Sequence, residues 1–272
     1  MTYPIEAVVF DWAGTVIDHG CCAPVAALQR VFAGQAIEIT AAEARLDMGR
    51  AKRDHIGRLL AMPRIAHLWA ERHQRAWTDA DADRLHDAVE PLMIAAAKDC
   101  AGLIPGVLET VADLRGRGIR IGSCTGYTRP MMAEIMPLAA AAGYRPDAVV
   151  CAGETPSGRP SPLMLWKVLV ELDVWPAWRA IKVDDAPVGI SEGRAAGTWT
   201  VGVSATGNGV GLDEASLGAL EPNDRRARIA QSADLLRVAG ADYVVESVAG
   251  VPAILDLIAA RLAAGDRPTI AQ

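Results

Sequence analysis

Residues 7–10, Ala-Val-Val-Phe, form a short apolar, β-branched run that stops abruptly at Asp11, and Gly14 then turns the chain. That pattern predicts a buried strand delivering a carboxylate to its C-terminal tip. In an open parallel α/β sheet, the tips of the strands are where ligands bind. From about Ala23 to Cys100 the periodicity becomes helical, in a stretch rich in Ala, Leu and Arg. Thr40-Ala-Ala-Glu43 fits a capping box, and Pro63 can open a helix carrying Ile65, Leu68, Trp69 and Trp77. These apolar residues, the Trp pair included, read as the core of a helical bundle.

From Ile104-Pro105-Gly106 onward, strand and helix patterns alternate, which predicts a parallel sheet with helices on both faces. Strands are expected at 119–124, 147–151, 180–183, 198–203 and 242–245, with helices at 107–117, 129–142, 161–172 and 251–264. The fold class is therefore α/β, a doubly wound parallel sheet of Rossmann-like type with an inserted all-α cap. Residues 1–20 and 101–272 make the core domain, and residues 21–100 make the cap. The glycine-rich segment Gly202–Gly211 lacks both Gly-Lys-Ser/Thr and the Gly-x-Gly-x-x-Gly spacing, so it reads as a mobile surface loop.

Composition narrows the classes. With 272 residues, 51% hydrophobic and 22% charged, the chain is a soluble globular type with room for one large core or two modest ones. It has neither an apolar run long enough for a bilayer nor a basic, apolar leader, so no membrane partner is expected and the expected location is cytoplasmic. A net charge of −6, with Arg-rich pieces interleaved with acids, leaves no footprint for nucleic acid. The five cysteines are odd in number and show no Cys-x-x-Cys spacing, and the five histidines include no His-Glu-x-x-His. Reduced thiols and no zinc hydrolysis are the expectation.

Candidate chemistry gathers at the strand ends. After Asp11 come Thr125-Gly126-Tyr127, whose hydroxyl and turn amides could hold phosphoryl oxygens, and Arg159 in the turn Gly158-Arg159-Pro160. Asp184 and Asp185 follow the next buried run, and adjacent carboxylates at a sheet edge repel unless a cation joins them, which suits Mg²⁺. One of the pair is expected to be a ligand and the other to cap the helix that begins near Pro187. In the helical segment, Lys52 and His55 stand three apart on one helix face, shortly after Gly49.

The four strand-end signals, in this order, resemble the haloacid dehalogenase superfamily, in which the strand-end Asp attacks phosphorus. Two departures stand out: Ala13 replaces the usual second acid, and Arg159 stands where Lys is more common. Asp11-Trp12-Ala13-Gly14-Thr15, Cys21, Met48 to Ile56, Met62 to Ala66, Thr125 to Thr128 and Glu192 to Gly197 narrow the resemblance to its phosphonatase branch. That resemblance implies cleavage of the phosphorus–carbon bond of phosphonoacetaldehyde during degradation of 2-aminoethylphosphonate. It makes Lys52 the imine-forming amine, Asp11 the phosphoryl acceptor and His55 a helper in proton transfer. Cys21, Met48 and Tyr127 would line the site, and Thr125, Gly126 and Arg159 would hold the phosphoryl group. Mg²⁺ would be bound by Asp11, the backbone carbonyl of Ala13 and Asp185, and two copies would join through their caps. The rival within enzymes is a Mg²⁺-dependent phosphatase for a small phosphate ester, and the rival outside them is a silent binding protein. Ala13 and Lys52 argue against the first, and intact Asp11, Lys52 and Asp185 argue against the second.

Overall fold

The computed structural model describes residues 3–269. Strand β1 (Ala7–Phe10) is followed by helices α1 (Cys22–Ala33), α2 (Ala41–Arg45), α3 (Lys52–Ala61), α4 (Pro63–His73) and α5 (Asp79–Asp99). Then come α6 (Val107–Gly116), β2 (Arg120–Thr128), α7 (Arg129–Ala141), β3 (Ala148–Ala152), α8 (Leu163–Glu171), β4 (Ala180–Asp184), α9 (Pro187–Ala196) and β5 (Trp199–Val203). Helices α10 (Glu214–Gly218) and α11 (Pro222–Val238), strand β6 (Tyr243–Val245) and helix α12 (Val251–Ala263) complete the order.

The six strands form one parallel sheet in the order β3-β2-β1-β4-β5-β6. β1 lies inside it, paired with β2 on one side and β4 on the other, and all four of its residues are buried. That is why it reads as a continuous apolar run rather than an alternating one. Alternate side chains still go to opposite faces. Ala7 and Val9 pack with α8 through Leu165, Val168 and Leu169, whereas Val8 and Phe10 join the core that includes Val111 of α6 and Leu255 of α12. The chain leaves β1 toward β2, and later returns from β3 to β4 on the far side of β1. The crevice at this reversal of order is the place where open α/β sheets bind ligands.

In the helical segment, Thr40 caps α2 with the expected box, accepting from Glu43 N at 3.1 Å while the Glu43 carboxylate accepts from Thr40 N at 2.8 Å. Pro63 does open α4, but that helix ends at His73, so Trp77 lies outside it in the link to α5. Gln74, in the left-handed region at φ 54°, turns the chain there.

Three further expectations are corrected. β2 does not stop at Cys124 but runs on to Thr128, with a register shift against β3 between Thr125 and Thr128. Residues 126–127 are thus displaced from the ladder as a bulge, not placed in a free turn. The segment Gly202–Gly211 is no surface loop: 202–203 belong to β5, and Ser204 to Gly207 are buried. Helices α10 and α11 then follow where no helix was expected. α11 buries Ile229, Ser232, Ala233 and Leu236 along one face, but its amphipathic pattern is weak because that face includes Ser232 while Leu235 and Val238 are exposed.

Candidate active site

β1 and β4 bring their terminal acids together. One oxygen from each of Asp11, Asp184 and Asp185 falls in a set whose members all lie within 4.8 Å of one another, and all three residues are buried. Gly14 makes this approach possible, because a Cβ there would sit 2.5 Å from Asp185 Oδ2, and its φ of 84° disfavours other residues. Around the acids a pocket is lined by Ala13, Cys21, Met48, Gly49, Lys52, Thr125, Gly126, Tyr127 and Arg159. The free space among them is about 20 Å³, enough for about one water molecule.

The adjacent acids have different surroundings. Asp184 accepts from Ala186 N at 3.0 Å and lies 2.9 Å from Lys182 Nζ and 3.5 Å from Arg159 Nη1. Against the upward push of burial, those two cations hold its carboxyl below the usual range. Asp185 instead accepts from Thr15 Oγ1 at 3.2 Å, Asn208 N at 2.7 Å and Cys21 Sγ at 3.3 Å, all neutral donors. Burial, followed by the charges of Asp184 and Asp11, pushes Asp185 well above the carboxylate range. Neither acid caps α9 by its side chain in the expected way. The Ala186 amide that Asp184 accepts belongs to the residue preceding that helix.

Counting the buried groups, Arg159, Lys182 and Lys52 stand among Asp11, Asp184, Asp185 and Glu192, three cations against four acids. A divalent cation offsets that excess, and the oxygen donors suit Mg²⁺. Cys21 Sγ also lies 3.1 Å from Ala13 O, so the Ala13 carbonyl and Asp185 Oδ2 converge on one point. The donor set therefore fits the expected metal.

From the helical segment, Lys52 opens α3 and is 4% exposed. Its Nζ contacts Met48 Sδ at 3.6 Å, and among the described residues it forms no ion pair with a carboxylate. Burial lowers its pKa from 10.5 to about 8, with Arg159 helping and Cys21 and Asp11 opposing. His55, one turn along, is fully buried behind Lys52, and neither ring nitrogen has a hydrogen-bond partner. Burial, then the Lys52 charge, lowers it to about 3. The structure does not bring His55 to the pocket wall. Tyr127 does reach the wall, with its hydroxyl buried and unpartnered, while its amide donates to Thr125 Oγ1 at 3.1 Å. Gly126 lets the bulge of β2 touch the helical segment, since a Cβ there would lie 3.0 Å from Gly49 O.

Several participants escaped the sequence reading. Asn208 and Thr206 come from the segment misread as a surface loop, and Thr206 Oγ1 donates to Gly14 O at 2.7 Å. Arg45 of α2 donates to Gly20 O at 2.7 Å and to Asn208 Oδ1 at 3.2 Å, tying the helical segment to the sheet. Asp18 accepts the first amides of α1, from Cys22 at 2.9 Å and Ala23 at 3.1 Å. Lys182 carried the clearest missed signal: a Lys within a buried strand has to be paired.

Known proteins are similar to this chain in sequence and fold. The sequence matches the haloacid dehalogenase-like hydrolases over residues 5–197. It is 49% identical to phosphonoacetaldehyde hydrolases of Paraburkholderia xenovorans (strain LB400) and Paraburkholderia phytofirmans, each over 97% of this chain and 99% of the relative. A solved structure of a phosphonoacetaldehyde hydrolase-like protein from Oleispira antarctica is 42% identical, with a TM-score of 0.96 over 97% of this chain and 96% of its own. Residues from β1, α3, β2, β4 and α9 thus meet in a frame shared along the whole length, and the chain belongs to the phosphonoacetaldehyde hydrolase family of haloacid dehalogenase-like hydrolases.

Proposed function

We propose that this enzyme hydrolyses the phosphorus–carbon bond of phosphonoacetaldehyde, giving acetaldehyde and phosphate, within the degradation of 2-aminoethylphosphonate. The observation that carries the reading is Lys52, a buried amine with a lowered pKa and no carboxylate partner among the described residues, facing the same pocket as Asp11. A phosphatase has no use for such an amine. Cleavage of a phosphorus–carbon bond does, because the departing carbon needs an electron sink.

In this reading residues 1–20 and 101–272 form the core and residues 21–100 the cap. The Lys52 amine adds to the aldehyde, water leaves, and the product is an iminium. An Asp11 oxygen attacks phosphorus as the phosphorus–carbon electrons pass into the iminium, which becomes an enamine. The enamine takes up a proton at carbon, and water hydrolyses the resulting imine to acetaldehyde and free Lys52. A second water hydrolyses the aspartyl phosphate, restoring Asp11. Ala13 fits this course, since no alcohol leaving group has to be protonated. Arg159, Thr125 and Gly126 hold the phosphoryl oxygens, while Met48, Cys21 and Tyr127 keep the aldehyde end dry. His55, the residue that resemblance makes a helper in proton transfer, lies buried beside Lys52 with neither ring nitrogen hydrogen-bonded, and in this structure it supports Lys52 by packing. Asp11, the Ala13 carbonyl and Asp185 would hold Mg²⁺, which would offset the charge gathered at the phosphoryl group when bound.

Phosphate release from phosphonoacetaldehyde, set against release from small phosphate esters, tests the reaction. Borohydride with substrate or acetaldehyde is expected to inactivate the enzyme and leave a secondary amine on Lys52, located by peptide mass mapping. Lys52→Arg, whose guanidinium stays protonated, is expected neither to be trapped nor to cleave the phosphonate. Full activity in that variant returns the reading to a phosphatase. A homodimer joined through the caps belongs to the same reading, on resemblance, and light scattering tests it. Among the described residues no helix is long and apolar enough to cross a membrane, and a cytoplasmic location completes the reading.

A further inference from the structure

Behind the pocket lies a buried charged group that the mechanism above does not use. Glu192, on the sheet-facing side of α9, is 0% exposed, and so is Lys182 of β4. Carboxylates and ammonium groups enter such places only when paired. Glu192 Oε2 accepts from Arg159 Nε at 2.9 Å and from Cys124 Sγ at 3.3 Å, and it lies 3.6 Å from Lys182 Nζ. Lys182 Nζ in turn reaches Asp184 Oδ2 at 2.9 Å and Cys124 Sγ at 3.2 Å.

Arg159 needs such an anchor. It sits in residues 153–162, between β3 and α8, a stretch outside any helix or strand. A guanidinium is planar, so fixing two of its nitrogens fixes its plane. Glu192 holds Nε, while Nη2 donates to Asp11 Oδ1 at 2.9 Å and to Cys124 O at 2.5 Å. Without Glu192, the carboxylates left to it would be the nucleophile Asp11, 2.9 Å from Nη2, and Asp184, 3.5 Å from Nη1. Arg159, already hydrogen-bonded to Asp11, would then be oriented by those two acids alone and would turn away from the phosphoryl oxygens.

We propose that Glu192 is a positioning residue that aims Arg159 at the phosphoryl group and keeps that cation from pairing with Asp11 and Asp184 alone, with Lys182 a further counter-charge 3.6 Å from Glu192. This rests on the assignment of Arg159 to the phosphoryl group in the reading above. It also gives the Arg at this position a reason, because a Lys has no second nitrogen for Glu192 to hold.

The test compares Glu192→Gln, Lys182→Met and the double variant, using inorganic phosphate as the probe in titration calorimetry with Mg²⁺, alongside steady-state kinetics on phosphonoacetaldehyde. Thermal melts check that each is folded. The double variant removes both charges and so guards against a fold lost to one unpaired buried ion. Glu192→Gln is expected to weaken phosphate binding about tenfold or more and to lower kcat, as misplacement of a holding group does. The double variant is expected to stay as weak. Recovery of phosphate binding in the double variant would mean that Glu192 only balances Lys182, and wild-type binding in Glu192→Gln, or none in the wild type, also overturns the proposal. Because phosphate binding needs no phosphonate cleavage, an enzyme that binds phosphate in a Glu192-dependent way but leaves phosphonoacetaldehyde intact would refute the reaction and not this role.

Discussion

Replacing Lys52 with Met is expected to make the protein more stable at neutral pH while abolishing imine formation. Met has nearly the length of Lys, fills the same apolar space beside Met48 and carries no charge. A depression of the Lys52 pKa from 10.5 to about 8 corresponds to about 3 kcal/mol between the charged and neutral forms. The folded-state value lies below the unfolded one, so the penalty is present in full below pH 8, where both states are protonated. It shrinks as pH climbs through 8 to 10.5, where the unfolded chain holds a proton that the native protein has lost, and it is absent above that window. The same depression leaves roughly a tenth of Lys52 as free amine at neutral pH, against well under a thousandth for an ordinary lysine, so the cost in stability is what makes the nucleophile available. Urea unfolding of wild type and variant at pH 7 and again near pH 10 measures the difference, and titrating groups away from Lys52 cancel because both proteins carry them. A variant more stable by about 3 kcal/mol at pH 7, with the gap closing at high pH, is the expected result. Equal stability at pH 7, or a gap that widens with pH, would refute burial as the origin of the lowered pKa.

Asp11→Asn keeps the shape of the nucleophile and removes its charge, so turnover is expected to vanish while the thermal melt stays cooperative; phosphate release near the wild-type rate would take Asp11 out of the mechanism. Asp185→Ala is expected to raise the Mg²⁺ concentration needed for half-maximal activity more than Asp184→Ala, because Asp184 already has Lys182 and Arg159 as counter-ions; the reverse order would exchange their roles. Since Asp185 is pushed upward in the metal-free protein, Mg²⁺ has to displace its proton, and calorimetry in buffers of different ionisation enthalpy should show proton release at neutral pH that fades as pH rises. Gly126→Val places a branched side chain where a Cβ alone meets Gly49 O at 3.0 Å, so KM is expected to rise and the melting temperature to fall, and an unchanged KM would mean that this contact does not shape the pocket.

The elements that the sequence determined are those whose physics is local. β1 is an apolar run because it is covered on both faces, the capping box of α2 closes within four residues, and Pro63 opens α4 because its missing amide is wanted by no partner there. Asp11 and Asp185 stand out locally, as acids ending buried runs, whereas Arg159 in a turn and Lys52 on a helix are ordinary charges by themselves and take their meaning from the order of the motifs along the chain. What only the tertiary structure decided depends on partners distant in the chain. Asp184 and Asp185 are the same residue type side by side, and they part company only because Lys182 and Arg159 reach one of them and neutral donors from Thr15, Cys21 and Asn208 reach the other. Gly202–Gly211 reads as surface by composition, yet its residues 202–207 are buried, with Thr206 hydrogen-bonded to Gly14 and Asn208 to Asp185. Glu192 resembles any helix acid until α9 turns it inward onto Arg159. A charge's role is set by the dielectric and the counter-ions around it, and those come here largely from other segments, from 23 residues away for Asn208 to 170 for Thr15, which local pattern cannot bring together.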